Sequence, residues 1–145
     1  MKKVFVLLVS LSFLLIACSG NNIIMNLNCI RSPQDQHRLI YQINTNLEND
    51  ALVRLQVTGQ DYHYNEILKI NNGKFEGVLN NLPLGHVEIL AIFHPEIPNQ
   101  PQWVIDKYGK LGEKIRGRQK DEYTYKGYKV KTGNLTRIEA IYILD

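Results

Sequence analysis

The chain has 145 residues, 44% of them hydrophobic and 21% charged, with a formal net charge of +3. That is the length and composition of one globular domain, which excludes a collagen-like, disordered or strongly basic nucleic-acid-coating polypeptide. Two cysteines are too few for a disulfide scaffold.

Lys2 and Lys3 precede an almost wholly apolar run from Val4 to Ile16, broken only by Ser10 and Ser12. The run is too short to span a bilayer comfortably and ends at the small residue Ala17, as a secretory leader does. Leu15-Ile16-Ala17-Cys18 resembles the lipobox of bacterial lipoproteins. That resemblance implies cleavage after residue 17, a diacylglycerol on the Cys18 sulfur and an acyl group on its new amino terminus. No other cofactor is expected, and the lipid bilayer becomes a partner through the anchor. Two or more acyl chains hold a protein stably where one does so marginally. The alternative is an ordinary cleaved signal with Cys18 there by chance. Ser19 stands where Gram-negative lipoproteins retained in the inner membrane carry Asp, so the resemblance implies the outer membrane in such a host. The expected organisation is a signal peptide over 1–17, a lipidated tether over 18–22 and one β domain over 23–145.

Ile23, Met25, Leu27 and Cys29 alternate with polar or outward positions, the period of a strand with one buried face. Cys29 then reads as a buried core thiol, with an intermolecular disulfide as the minor alternative. Leu39 to Leu47 and Ala51 to Val57 repeat the pattern. Tyr62-His63-Tyr64 reads as an exposed loop or a partly packed hairpin edge. Residues 66–70 and 75–79 flank Asn71-Asn72-Gly73-Lys74, whose central Asn-Gly suits a type I′ hairpin. Leu82-Pro83-Leu84-Gly85 reads as a turn. Val87, Ile89, Ala91 and Phe93 form an inward row, with Leu90 and Ile92 apolar on the other face.

Pro95, Pro98 and Pro101 interrupt the strands, and Gln102 to Tyr108 suits a short helix between Pro101 and Gly109, with Trp103 packed on the sheet. Tyr123 and Tyr125 share one parity, Tyr128 and Val130 the other, and Gly127 between them suggests a β-bulge. Gly133-Asn134 suits a type II′ hairpin turn. The last strand carries Ile138, Ala140, Tyr142 and Leu144 on one face and Ile141 and Ile143 on the other, so the chain end reads as paired and buried.

About eight short strands and one brief helix predict an all-β, mainly antiparallel fold, a β-sandwich or small barrel. The run from Ala51 to Phe93, with Val57-Thr58-Gly59, Phe75, Leu82-Pro83 and Gly85, resembles bacterial immunoglobulin-like domains over about a third of the chain. The resemblance implies a sandwich and carries over no binding residue. Pro95 to Gly117 exceeds what such a sandwich needs, which makes it a place to look for function.

Nucleophilic catalysis is not expected. After residue 18 the serines are Ser19 and Ser32, neither in a strand-to-helix elbow. No carboxylate pair or phosphate loop stands out. His86, Glu88 and His94 share one outward parity and are the only candidates for a metal site, which would need help from other strands.

Residues 18–106 carry five Lys/Arg and nine Asp/Glu, whereas residues 107–145 carry ten and five. The stretch from Lys107 to Lys131 is basic and aromatic, with Lys107, Lys110, Lys114, Arg116, Arg118, Lys120, Tyr123 and Tyr125 as the main candidates and Lys126, Tyr128, Lys129 and Lys131 following, and it suits an acidic protein face or lipid headgroups. The plainer alternatives are halves that neutralise each other in the fold and solvated lysines on strand faces. The expectation is a non-enzymatic envelope lipoprotein that binds another protein and no nucleic acid. A small-ligand or metal-binding lipoprotein, using His86, Glu88, His94 or the Trp103 region, and a surface lipoprotein facing a host are the alternatives.

Overall fold

The structure is a computed structural model that describes residues 21–145; the leader, Cys18 and Ser19 lie outside the described residues. Eight strands form two sheets: β1 (Met25–Arg31), β2 (Leu39–Thr45), β3 (Leu52–Gly59), β4 (Tyr62–Lys69), β5 (Lys74–Leu79), β6 (Val87–Phe93), β7 (Tyr128–Thr132) and β8 (Leu135–Leu144). One helix, α1 (Gln102–Tyr108), lies between β6 and β7. The strand orders are β1-β2-β5 and β4-β3-β6-β8-β7, and every named pairing is antiparallel. The sheets stay open at their sides and do not close into a barrel. The two sheets pack as a β-sandwich around one hydrophobic cluster.

The core lies between the sheets. Met25 and Leu27 of β1, Leu39 and Ile43 of β2, Val53 and Leu55 of β3, and Ile89 and Phe93 of β6 are fully buried in one cluster. Alternation delivers these side chains to one face because successive residues of a strand point opposite ways. Cys29 is buried and unpaired, and burial pushes its thiol up to about 12. Leu90 is half-buried and Ile92 buried, so the outer face of β6 is largely covered.

Residues 71–74 form the expected turn, but the two sides of it part. Asn72 and Gly73 take φ of 51° and 72°, and Asn71 and Lys74 exchange backbone hydrogen bonds of 3.2 Å. Leu68 then pairs with Val53 of β3, while Phe75 pairs with Ile43 of β2. The turn therefore carries the chain from one sheet to the other and does not close a hairpin between β4 and β5. Leu68 and Ile70 are buried on the inner face of one sheet and Leu79 on that of the other, so each side of the turn contributes apolar surface to the core. Tyr62-His63-Tyr64 is not a loop: it begins β4, the outer strand of the larger sheet, with Tyr62 and Tyr64 partly packed, as the hairpin-edge alternative expects.

Pro101 precedes α1 with an extended ψ of 142°, and Gly109 ends it at φ 84°. Val104 and Tyr108 are buried against the core, Tyr108 meets Phe93 edge-on at 5.4 Å, and half-buried Trp103 packs beside them. The Gln100 side chain both donates to the Leu52 carbonyl (2.8 Å) and accepts from its N–H (3.0 Å), which ties the proline-rich loop to β3. With Ile97 and Ile115 also buried, Pro95 to Gly117 closes one end of the sandwich. The Gly133-Asn134 turn joins β7 and β8, with Gly133 at φ 59°. β8 is paired with β6 from Ile138 to Leu144, but its end is only half-buried, with Ile143 50% exposed.

Candidate partner-binding site

β1 is the outer strand of the smaller sheet, and β7 pairs with β8 only as far as Glu139. Two strand edges are thus left side by side, and residues 116–127 are threaded between them. Ile23 donates to the Arg116 carbonyl (2.8 Å), Leu27 to the Tyr125 carbonyl (2.9 Å), and Gly127 to the Met25 carbonyl (2.5 Å). From the other side Ile141 donates to the Thr124 carbonyl (2.9 Å), and the Thr124 hydroxyl donates back to the Ile141 carbonyl (3.3 Å). The parity change at Gly127 is therefore not a bulge within one strand. It is where the chain leaves β1 for β8, and a Cβ there would stand 2.6 Å from the Met25 carbonyl oxygen.

Arg118 holds this insertion in shape. Its Nη1 donates to the carbonyls of Tyr123 (3.1 Å) and Lys126 (2.6 Å), its guanidinium pairs with Asp121, and its own carbonyl accepts from Lys129 (2.8 Å). A bidentate, planar donor suits a residue that must gather several oxygens at once.

Beyond Thr124 the insertion ends and the gap continues as a cleft of about 490 Å³, lined by Asn28, Thr124, Tyr125, Ile141, Tyr142 and Ile143. Tyr125 links Tyr123 (6.0 Å between centroids) to Tyr142 (6.4 Å). Lys126 Nζ lies 4.9 Å from the Tyr123 ring and 5.9 Å from that of Tyr125, within cation–π range. Lys126 is exposed and joins none of the ion pairs among the described residues.

The structure does not gather the eight residues singled out from the sequence onto one face. Lys107 bonds Glu48 at 2.5 Å. Burial alone would lower the Lys107 ammonium, but the hydrogen bond and charge of Glu48 help to raise it. This contact joins the acidic and basic halves of the chain. Lys110 is exposed past α1, and Lys114 Nζ lies 3.5 Å from the Asp106 carbonyl. Arg116 exchanges backbone bonds with Asn21 and Ile23. Arg118 is engaged within its loop, and Lys120 lies over the Tyr128 ring at 5.6 Å. Tyr123 and Tyr125 are brought together, at the mouth of the cleft. Sequence reasoning missed Asn28, Ile141, Tyr142 and Ile143 as site residues. The available signal was the pair Ile141 and Ile143, apolar on the face away from the core.

His86, Glu88 and His94 do not form a metal centre. His86 Nδ1 pairs with Asp145 Oδ1 at 2.8 Å. Burial pushes the His94 imidazole below its ordinary range, reinforced by Arg54, and its Nδ1 has no hydrogen-bond partner. Among the described residues no three His, Cys, Asp or Glu groups lie together as a metal would require. No helix among them is long and apolar enough to cross a membrane. Ser32 is buried and its hydroxyl donates to Gln34 Oε1 at 3.0 Å. No family model, no curated protein and no solved structure matches the chain.

Proposed function

We propose that the chain is a lipid-anchored envelope lipoprotein, in the outer membrane where the host has one, and that it holds another protein without catalysing a reaction. The lipobox Leu15-Ile16-Ala17-Cys18 supports the location. The observation that carries the binding role is the cleft beside β8, where Tyr125 and Tyr142 line half-exposed apolar side chains and Tyr123 and the unpaired Lys126 pack against Tyr125. Aromatic rings with a cation at their rim are enriched at protein contacts. A non-enzymatic role accords with a Cys29 thiol pushed up to about 12 by burial and with a buried Ser32 hydroxyl engaged by Gln34. An accessory or assembly role fits a domain joined to its anchor by so few residues.

Cys18→Ser in the full chain tests the location. The expected result is loss of acyl labelling and of membrane fractionation; an unchanged distribution overturns the anchor. Tyr125→Ala combined with Tyr142→Ala tests the contact, through crosslinking in the native envelope. The double variant should lose the crosslinked partner while remaining anchored, and an undiminished yield moves the contact elsewhere. Arg116→Glu with Lys120→Glu should leave the crosslink intact. Arg118 is excluded from that control because its loss disturbs the insertion itself.

A further inference from the structure

We propose that the cleft takes an extended segment of the partner as an added β-strand, laid between β1 and β8 in continuation of residues 124–127, with an acidic side chain against Lys126. This deepens the protein-binding reading and rests on it.

Hydrogen bonding along a strand alternates sides. Ile141 turns its N–H and carbonyl toward Thr124, so Ile143, two residues on, turns its own toward the cleft. Ile23, Met25 and Leu27 use theirs on residues 116–127, so Cys29 does the same on the facing edge. Neither Ile143 nor Cys29 has a backbone partner on that side among the described residues. The chain fills the first part of the slot with a turn over residues 123–126, in which Lys126 donates to the Tyr123 carbonyl (3.0 Å) and bridges Asn26, and leaves the next rungs vacant.

The walls choose the side chains. Half-buried Ile141 and half-exposed Ile143 offer apolar surface to alternate residues of an inserted strand, and Tyr125 and Tyr142 flank them. Lys126, whose Nζ lies 5.9 Å from the Tyr125 ring of the cleft wall, is exposed and joins no ion pair among the described residues, which favours an acidic residue next to the apolar ones. Main-chain bonds would supply affinity and these pockets specificity, as in other strand additions.

The test is selection of a randomised twelve-residue peptide library on the full chain in detergent. Peptides alternating apolar residues with Asp or Glu should be enriched. Bound to the labelled protein, they should slow hydrogen exchange of the Ile143 and Cys29 amides. Ile143→Pro removes one donor whose N–H faces the open edge, a place where proline is tolerated, and should weaken binding about tenfold at unchanged Tm. Lys126→Gln should weaken it several-fold and relax the acidic preference. Absence of enrichment, or enriched peptides that leave both amides unprotected, overturns the proposal. A partner crosslinked in the envelope through other surfaces would preserve the protein-binding reading while removing the slot from it.

Discussion

Thr124 and Ile141 form a two-way contact across the sandwich side: the carbonyl of Thr124 accepts the Ile141 N–H at 2.9 Å, and its hydroxyl donates to the Ile141 carbonyl at 3.3 Å. The side chain of Thr124 thereby imitates a backbone rung. Thr124→Val keeps shape and β-branching and removes only the donated bond. It should cost about 1 kcal/mol in denaturant unfolding, the usual worth of one such bond. A loss no greater than error would mean that the hydroxyl bonds water equally well.

Arg118→Gln should loosen the insertion more than it lowers global stability. It strands the carbonyls of Tyr123 and Lys126 and frees Asp121. Partly exposed charged hydrogen bonds of this kind are worth roughly 1–3 kcal/mol together. The check is hydrogen exchange at the Leu27 amide, which donates to Tyr125. Faster exchange there, with the β3 amides unchanged, is expected. Uniform acceleration would place Arg118 in the global core.

Gly127→Ala should destabilise by about 2 kcal/mol, through forced displacement of packed backbone. The new methyl would meet the Met25 carbonyl oxygen at 2.6 Å and Ile138 at 2.9 Å, and the first cannot swing aside. Gly133 meets nothing within 4 Å, but its φ of 59° still disfavours a side chain. Thermal unfolding of G127A measures the effect, and wild-type Tm would show that β1 and β8 separate easily.

His94 gives a stability dependence on pH. Burial first, then Arg54, holds its folded-state pKa below the ordinary 6.5, with Glu96 opposing. The unfolded chain therefore binds the proton more readily. His94's neutral form contributes fully above the unfolded value, and stability declines as pH falls through 6.5 toward the folded value. His94→Phe should flatten the slope of unfolding free energy in that window. A slope unchanged by the substitution would assign it to other groups.

The rows Val53, Leu55, Val57 and Val87, Ile89, Ala91, Phe93 were legible because alternation and burial are the same fact seen twice. The bounds of α1 were legible because Pro101 and Gly109 punctuate them. The partner of each strand was not. Asn72-Gly73 specifies dihedrals within a turn, and those dihedrals formed, yet which ladder Phe75 joins depends on residues far along the chain. The same reason explains Gly127, whose slip of parity was visible while the change of sheet was not. Of the site, Tyr123 and Tyr125 stood out by composition. Tyr142 did not, since it lies on the parity of Ile138 and Ala140 and only the local absence of β7 exposes it. Composition could not show that the side chains of Lys107 and Arg118 bond to Glu48 and to their own loop, since those partners lie elsewhere in the chain or depend on how the loop folds.

The pairing of Arg116 with Asn21 fixes more than an edge. It commits the chain to the ladder almost at once after Cys18, leaving Ser19 and Gly20 between them. β1 then carries the chain from Met25 to Arg31, and seven residues at about 3.3 Å each are roughly 20 Å. With Cys18 acylated, the helical end would rest near the headgroups and the vacant rungs would stand one domain's height above them. Under the proposed anchor, such a post would offer the vacant rungs to a partner arriving from the aqueous side.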